Sequence, residues 1–206
     1  MLRRMRVKHF KRFEAEIDLS QTVVFVGPNN SGKTSALQAI TLWDIGLRKW
    51  VEAKKDSKAK KRVGVAINRK DIYSIPVPSA KQLWRDLLVR ESKTKNKKQT
   101  TTNVKIEIIF EGFTAGKQWE LGFEFDYANP ESFYCRIINP DKRNLDQYIQ
   151  AALLERIGLL PPMSGLASEE YKLELGTINV RIGEGKTADV LRNLCWYVLD
   201  EKQKKW

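Results

Sequence analysis

Gly27-Pro28-Asn29-Asn30-Ser31-Gly32-Lys33-Thr34 sets two glycines, a lysine and a hydroxyl at the spacing G-x-x-x-x-G-K-T. Each fixed position answers a chemical need. Gly27 and Gly32 allow backbone conformations that a side chain opposes, so the loop can wrap a phosphate with its N–H groups pointing inward. A helix beginning at the loop adds the positive end of its dipole. Lys33 brings a full positive charge to the β- and γ-phosphates, and the Thr34 hydroxyl is a hard oxygen suited to magnesium. The stretch from Gly27 to Ser35 therefore predicts a triphosphate site for ATP with magnesium, with Thr34 as the protein's metal ligand.

The flanking residues must position this loop. Val23-Val24-Phe25-Val26 is a short, β-branched apolar run and predicts a strand buried on both faces, at the centre of a parallel or mixed sheet. After the loop, Ala36, Ile40, Trp43, Leu47 and Trp50 recur at helical spacing and predict one buried face of a long helix. A plain glycine-rich turn between strand and helix leaves Lys33 unexplained, because a cation at a helix start opposes the dipole. A bound anion removes that conflict. Upstream, residues 2–13 predict a basic strand and residues 14–19 a second, half-buried strand.

Beyond the long helix the pattern changes. Residues 48–102 predict a lysine-rich insertion or set of loops, with Lys54, Lys55, Lys58, Lys60, Lys61 and Arg62 crowded together. Within it, Ile75-Pro76-Val77-Pro78 predicts extended chain, Ser79–Val89 a short helix capped by Ser79, and residues 93–102 a basic loop. Strands are expected at 104–111, 118–126 and 133–138, with a hairpin connection at 112–116, forming an antiparallel meander. Helices are expected at 146–157 and from Thr187 onward, separated by an irregular apolar loop at 159–166.

These residues carry a family resemblance. The basic strand ending His9-Phe10-Lys11-Arg12-Phe13, the second strand and then Phe25-Val26 leading into the glycine loop resemble the SMC/RecF-type ATPases. These are ABC-class proteins that include DNA-repair ATPases and OLD-family nucleases. The Pro28-Asn29-Asn30 variant resembles the RecF/OLD branch in particular. Leu160–Leu166, Ile182–Gly185 and Val190–Leu194 are similar to a group of bacterial "AAA family" ATPases of that branch. The resemblance implies an α/β fold, a P-loop NTPase of ABC/SMC-head type with a mixed β-sheet, flanking helices and the meander. It implies that Lys11 approaches the phosphates from the first strand and that the Asn30 side chain contacts the γ-phosphate region. It also implies homodimers or larger homo-oligomers built from heads that sandwich two ATPs, and a nuclease or other effector partner.

Family features are also missing. There is no L-S-G-G-Q-like signature, no convincing strand ending in Asp-Glu and no switch histidine; Gln147 and Gln150 are the candidates for the magnesium glutamine only by their mid-chain position. Trp196-Tyr197-Val198-Leu199-Asp200-Glu201 imitates the Asp-Glu strand, but its neighbours Leu191, Leu194 or Cys195 and Val198 are spaced for a helix. The chain thus resembles the N-terminal half of a larger head, expected to bind nucleotide without hydrolysing it alone.

The net charge is +12 over 206 residues, concentrated at 48–70 and 93–98, and suits contact with a phosphate backbone without sequence reading. Cys135 and Cys195, the only cysteines, predict two reduced, partly buried thiols, and His9, the only histidine, predicts no catalytic triad. No apolar run is long enough to span a bilayer and no signal peptide follows the basic N-terminus, so a cytoplasmic protein without membrane contact is expected. Two functions compete: an ATPase lobe of a DNA-associated machine in repair or anti-phage defence, and a non-hydrolysing, nucleotide-gated assembly module. A kinase or GTPase is a weaker third, since no N-K-x-D guanine motif is present.

Overall fold

A computed structural model describes residues 1–20, 22–56, 64–95, 98–138, 143–159 and 169–203. In chain order the elements are β1 (Leu2–Phe10), β2 (Phe13–Asp18), α1 (Lys33–Asp56), β3 (Val65–Asn68), β4 (Arg90–Lys95), β5 (Lys98–Asn103), β6 (Ile106–Thr114), β7 (Lys117–Asn129), β8 (Ser132–Ile138), α2 (Leu145–Leu153), α3 (Leu175–Gly183) and α4 (Leu191–Gln203). Short 3-10 turns occupy Arg69–Ile72, Ala80–Leu83, Arg85–Leu87 and Thr187–Val190. The chain forms two compact units, one of residues 1–71 and 77–158, the other of residues 72–76 and 159–206.

The larger unit is built on a six-stranded sheet in the order β2-β1-β6-β7-β8-β3. Every pair in it is antiparallel. The expected meander is present as β6, β7 and β8, and residues 115 and 116 form its first turn. Period-2 alternation sets the buried face. Ile106, Ile108 and Phe110 of β6 stand opposite Phe125, Phe123 and Leu121 of β7, and all six are buried. Helix α1 lies on this sheet through the predicted stripe, with Ala36, Trp43, Leu47 and Trp50 buried. Trp43 is the main anchor. Its ring packs against Phe110, Trp119 and Phe123, and its indole N–H donates to the Leu121 carbonyl at 3.0 Å. Full burial of a ring of this size is worth roughly 1.5–3 kcal/mol, and the hydrogen bond removes the cost of a buried donor.

Several expectations need correction. Val23–Val26 forms no strand and is not buried: Val23, Val24 and Val26 are 38%, 75% and 88% exposed. A run of this kind is buried only when strands pair on both sides of it, and among the described residues none does. The sheet is accordingly antiparallel rather than mixed. Ser79–Val89 is not a capped helix but two 3-10 turns, separated by extended Trp84 and containing Asp86 and Leu87 at φ 50° and 59°; Ser79 makes no side-chain cap. Of the loop expected at 93–102, residues 93–95 and 98–102 belong instead to a two-stranded ribbon, β4 paired with β5, and 96–97 lie outside the described residues. Finally, α1 continues to Asp56, so the lysine-rich run begins in a helix; Lys58, Lys60, Lys61 and Arg62 lie outside the described residues, as does 160–166 of the apolar loop.

The smaller unit contains α3, the Thr187–Val190 turn and α4, with Ile178, Ala188 and Val190 buried. Glu170 holds the start of α4. Its carboxylate accepts from the Arg192 and Asn193 backbone N–H groups at 2.8 and 2.7 Å, which together with those bonds to Asn193 lowers its pKa despite desolvation. Residues 196–201 are thus helical, as the spacing predicts, and the strand-with-Asp-Glu reading fails. Both cysteines are free thiols, Cys135 buried and Cys195 exposed rather than partly buried. No helix among the described residues is long and apolar enough to cross a membrane.

Gly112 of β6 faces Trp119 of β7, and a Cβ added to it would lie 2.2 Å from the indole Cζ2. Gly112→Ala must displace this ring from the core beneath α1. Overpacking of this kind costs about 1–3 kcal/mol, and urea denaturation should show it as a lower midpoint with an unchanged slope. An unaltered midpoint would contradict the packing described.

Candidate functional site

Residues 29–35 together with Lys11 and Arg12 line a cavity of about 400 Å³. Its walls come from two elements. The first is the start of α1 with the loop before it. Gly27 and Gly32 have φ of +156° and +93°, and Asn30 adopts +65°. Gly32 is also confined, since an added Cβ would meet the Phe13 ring at 3.2 Å. The second wall is the β1–β2 turn, where Lys11 takes φ 49° and its N–H donates to the Leu83 carbonyl at 2.8 Å.

Electrostatically the site is one-sided. The first turn of α1 holds no acidic residue, and Lys33 sits at its head. The Lys33 ammonium donates to the Gly27 and Pro28 carbonyls at 2.7 and 2.6 Å, and to Ser31 Oγ at 3.3 Å. It is thus held inside the loop by neutral oxygens alone. The N–H groups of Lys33, Thr34 and Ser35 begin α1 and have no acceptor within it, as for any helix start. Ala36 N–H is the first to be used, on the Gly32 carbonyl at 2.9 Å.

Lys11 stands on the facing wall. Its ammonium donates to Gln38 Oε1 at 2.7 Å and lies 5.7 Å from the centre of the Phe10 ring. Burial without a carboxylate partner lowers its pKa. Gln38 was not evident in the sequence: it belongs to no motif, and only its place one helical turn after Thr34 hints at it. Arg12 was also missed as a wall residue, although it adjoins Lys11.

Of the sequence-predicted residues, Lys11, Asn29, Asn30, Ser31, Gly32, Lys33, Thr34 and Ser35 line one cavity, and Gly27 and Pro28 close the loop through their bonds to Lys33. Gln147 and Gln150 do not join them. They line a different cavity, between α2 and the β6–β7 turn. The Thr34 hydroxyl has no protein partner among the described residues, and no cluster of three or more His, Cys, Asp or Glu able to hold a metal is found there. The donor set fits a nucleoside triphosphate: unpaired N–H groups, two ammonium groups, a guanidinium and a hydroxyl. A magnesium ion would rest on Thr34 and on the nucleotide's own oxygens. No carboxylate appears among the described residues that line it.

No curated protein matches the chain. The family model described as "AAA ATPase domain" matches residues 1–150, the greater part of the chain and all of the walls described above. The chain belongs to the AAA ATPase domain family.

Proposed function

We propose that this chain is the ATP-binding lobe of an SMC/RecF-like ATPase of the OLD-related branch, working in DNA repair or anti-phage defence beside a nuclease or other effector. The observation that carries the nucleotide reading is Lys33, an ammonium at a helix start with no acid in the first turn, enclosed by a loop with left-handed Asn30 and Gly32. The β- and γ-phosphates of ATP would lie against Lys33, the unpaired N–H groups and Lys11. Magnesium, when bound, neutralises phosphate charge; the chain contributes Thr34 as its oxygen ligand and holds the phosphates in place.

The absence of a carboxylate from the described residues of the cavity lining favours binding over turnover, because no carboxylate there can take a proton from an attacking water. The exposed run Val23–Val26 supports a lobe completed by other strands, since a β-branched strand leading into a phosphate loop is stable when paired on both sides. In this reading, two heads close around ATP and each supplies what the other's cavity lacks. The second reading, a nucleotide-gated assembly module with little or no turnover, draws on the same carboxylate-free lining. Hydrolysis by the complete assembly separates the two.

Calorimetry with magnesium ATP should give saturable binding to the 206-residue chain and negligible steady-state hydrolysis. Lys33→Ala should weaken that binding at least about tenfold, since a charge-assisted contact to phosphate exceeds the 1.4 kcal/mol that factor represents. Undiminished affinity in this variant, with its fold intact by circular dichroism, defeats the site.

Lys11 adds a pH signature. Its pKa is lowered in the free protein by burial. A neighbouring polyphosphate favours the charged form and raises the value again. Between the two values binding takes up a proton, and affinity falls as pH rises through the free-protein pKa. Alkaline calorimetry in two buffers of different ionisation enthalpy should therefore show proton uptake. Lys11→Arg should abolish the uptake, because guanidinium does not titrate there; uptake persisting in that variant assigns the proton to another group.

A further inference from the structure

Lys11 is held at both ends. The register of β1 with β2 shifts between Val7 and Phe10, and His9 and Lys11 take left-handed φ of 58° and 49° there. An irregularity of this kind re-aims a side chain. Left-handed backbone in a residue with a Cβ also costs energy that the surroundings must offset. The Lys11 N–H is fixed on the Leu83 carbonyl at 2.8 Å. The far end of the side chain reaches α1, where its ammonium donates to Gln38 Oε1 at 2.7 Å. Gln38 lies one turn beyond Thr34 and is half-buried. It is not among the described residues that line the phosphate cavity, whereas Lys11 is. The two ammonium groups of the site also differ in their free protons. Lys33 makes three hydrogen bonds to its own loop, which is all that an ammonium can donate. A phosphate must displace one of them to reach it. Lys11 makes one among the described residues, to Gln38, and lies 5.7 Å from the centre of the Phe10 ring. The rest of its donor capacity is left for a ligand.

We infer that Gln38 is a positioning residue for the nucleotide, anchoring the Lys11 ammonium through an uncharged acceptor so that its whole charge is left for the phosphates. The choice of side chain is decisive. A glutamate has the same length and the same Oε1, and it would bind the ammonium more strongly. It would also cancel the charge and set an anion beside the place of a polyphosphate. An aliphatic residue would leave the ammonium free to turn toward water. An amide holds the cation without neutralising it. The neighbouring charges preserve this arrangement. The first turn of α1 has no acid, and Glu14, the acid nearest to Lys11 in sequence, is engaged by Arg85 at 2.7 Å. Burial, with no carboxylate to offset it, holds the Lys11 pKa below its ordinary value.

This inference rests on the nucleotide reading of the proposed function and assigns a further residue to it. The test pairs calorimetry with magnesium ATP and thermal unfolding of the nucleotide-free protein, both on the full chain. Gln38→Met keeps the length and the helical preference but removes the acceptor, and should weaken ATP binding about fivefold. Gln38→Glu should weaken it further, about tenfold or more, because the carboxylate neutralises Lys11 and repels phosphate. Its unfolding temperature without nucleotide should stay level or rise, since the carboxylate pairs with Lys11. A glutamine that served stability alone would keep affinity wherever it kept stability. In a Lys11→Met background, Gln38→Met should leave affinity unchanged, since the amide acts only through the ammonium. The inference is overturned if Gln38→Glu binds ATP as tightly as the wild type, or unfolds at a lower temperature. Equal weakening by Gln38→Met with and without the Lys11 ammonium also overturns it. Any of these results, with Lys33→Ala still defective, leaves the phosphate loop standing. No binding of ATP by the wild type overturns the nucleotide reading and this inference together.

Discussion

A positive charge at the positive end of a helix dipole is the constraint around which the larger unit is arranged. Lys33 occupies the head of α1, where a carboxylate is the favoured residue, and only neutral oxygens of its own loop receive its protons. A cation without partners could swing away into water. Lys33 instead points back into a loop whose path is fixed by Gly32, itself pressed against Phe13 of β2. A second cation, Lys11, is brought up on the opposite wall and partly stripped of water, with the Gln38 amide and the Phe10 ring beside it. Both arrangements are unfavourable alone, and one ligand chemistry relieves both. A polyanion gains more from one partly desolvated ammonium and one held in place than from two freely hydrated, mobile ones.

The sheet holds these cations in place. Helix α1 is fixed along its length by Trp43, Leu47 and Trp50, so its head cannot shift without disturbing the aromatic layer. The β1–β2 turn is fixed differently. Phe10 bridges to Trp84, the Lys11 N–H is held by Leu83, and Arg85 pairs with Glu14 at 2.7 Å. The 3-10 turns at 80–87 are therefore a brace against the turn that carries Lys11.

The legibility of the sequence followed the strength of its local signals. The apolar stripe of α1 and the alternation of β6 and β7 could be read because burial and periodicity coincide in them. The phosphate loop could be read because each of its positions has a chemical reason. Val23–Val26 misled because composition states a preference for burial and says nothing of whether neighbouring strands are present to satisfy it. Asp86 and Leu87 broke the expected helix through left-handed backbone that no propensity assigns to them. The ribbon was hidden because its strands have no apolar alternation; backbone pairing and cross-strand hydroxyls such as Ser92 and Thr101 define it instead. Gln38 shows the limit at the site itself, since its role depends on a contact with a residue 27 positions away.

The brace also explains how a ribbon with no core of its own is held at its base. A polar two-stranded hairpin is marginal in isolation. Here its base is closed by Val104 N–H on the Val89 carbonyl, and the Val104 carbonyl in turn accepts the Trp84 indole N–H at 2.7 Å. Trp84 is the same residue that bridges to Phe10, next to Lys11. A short series of hydrogen bonds and one buried ring thus joins the foot of the ribbon to the wall of the cavity. Adjacency of this kind is not coupling, which requires an element with two discrete arrangements. It does supply the connection that such an element would need, and it points to residues 83–89, where Asp86 and Leu87 already take left-handed backbone.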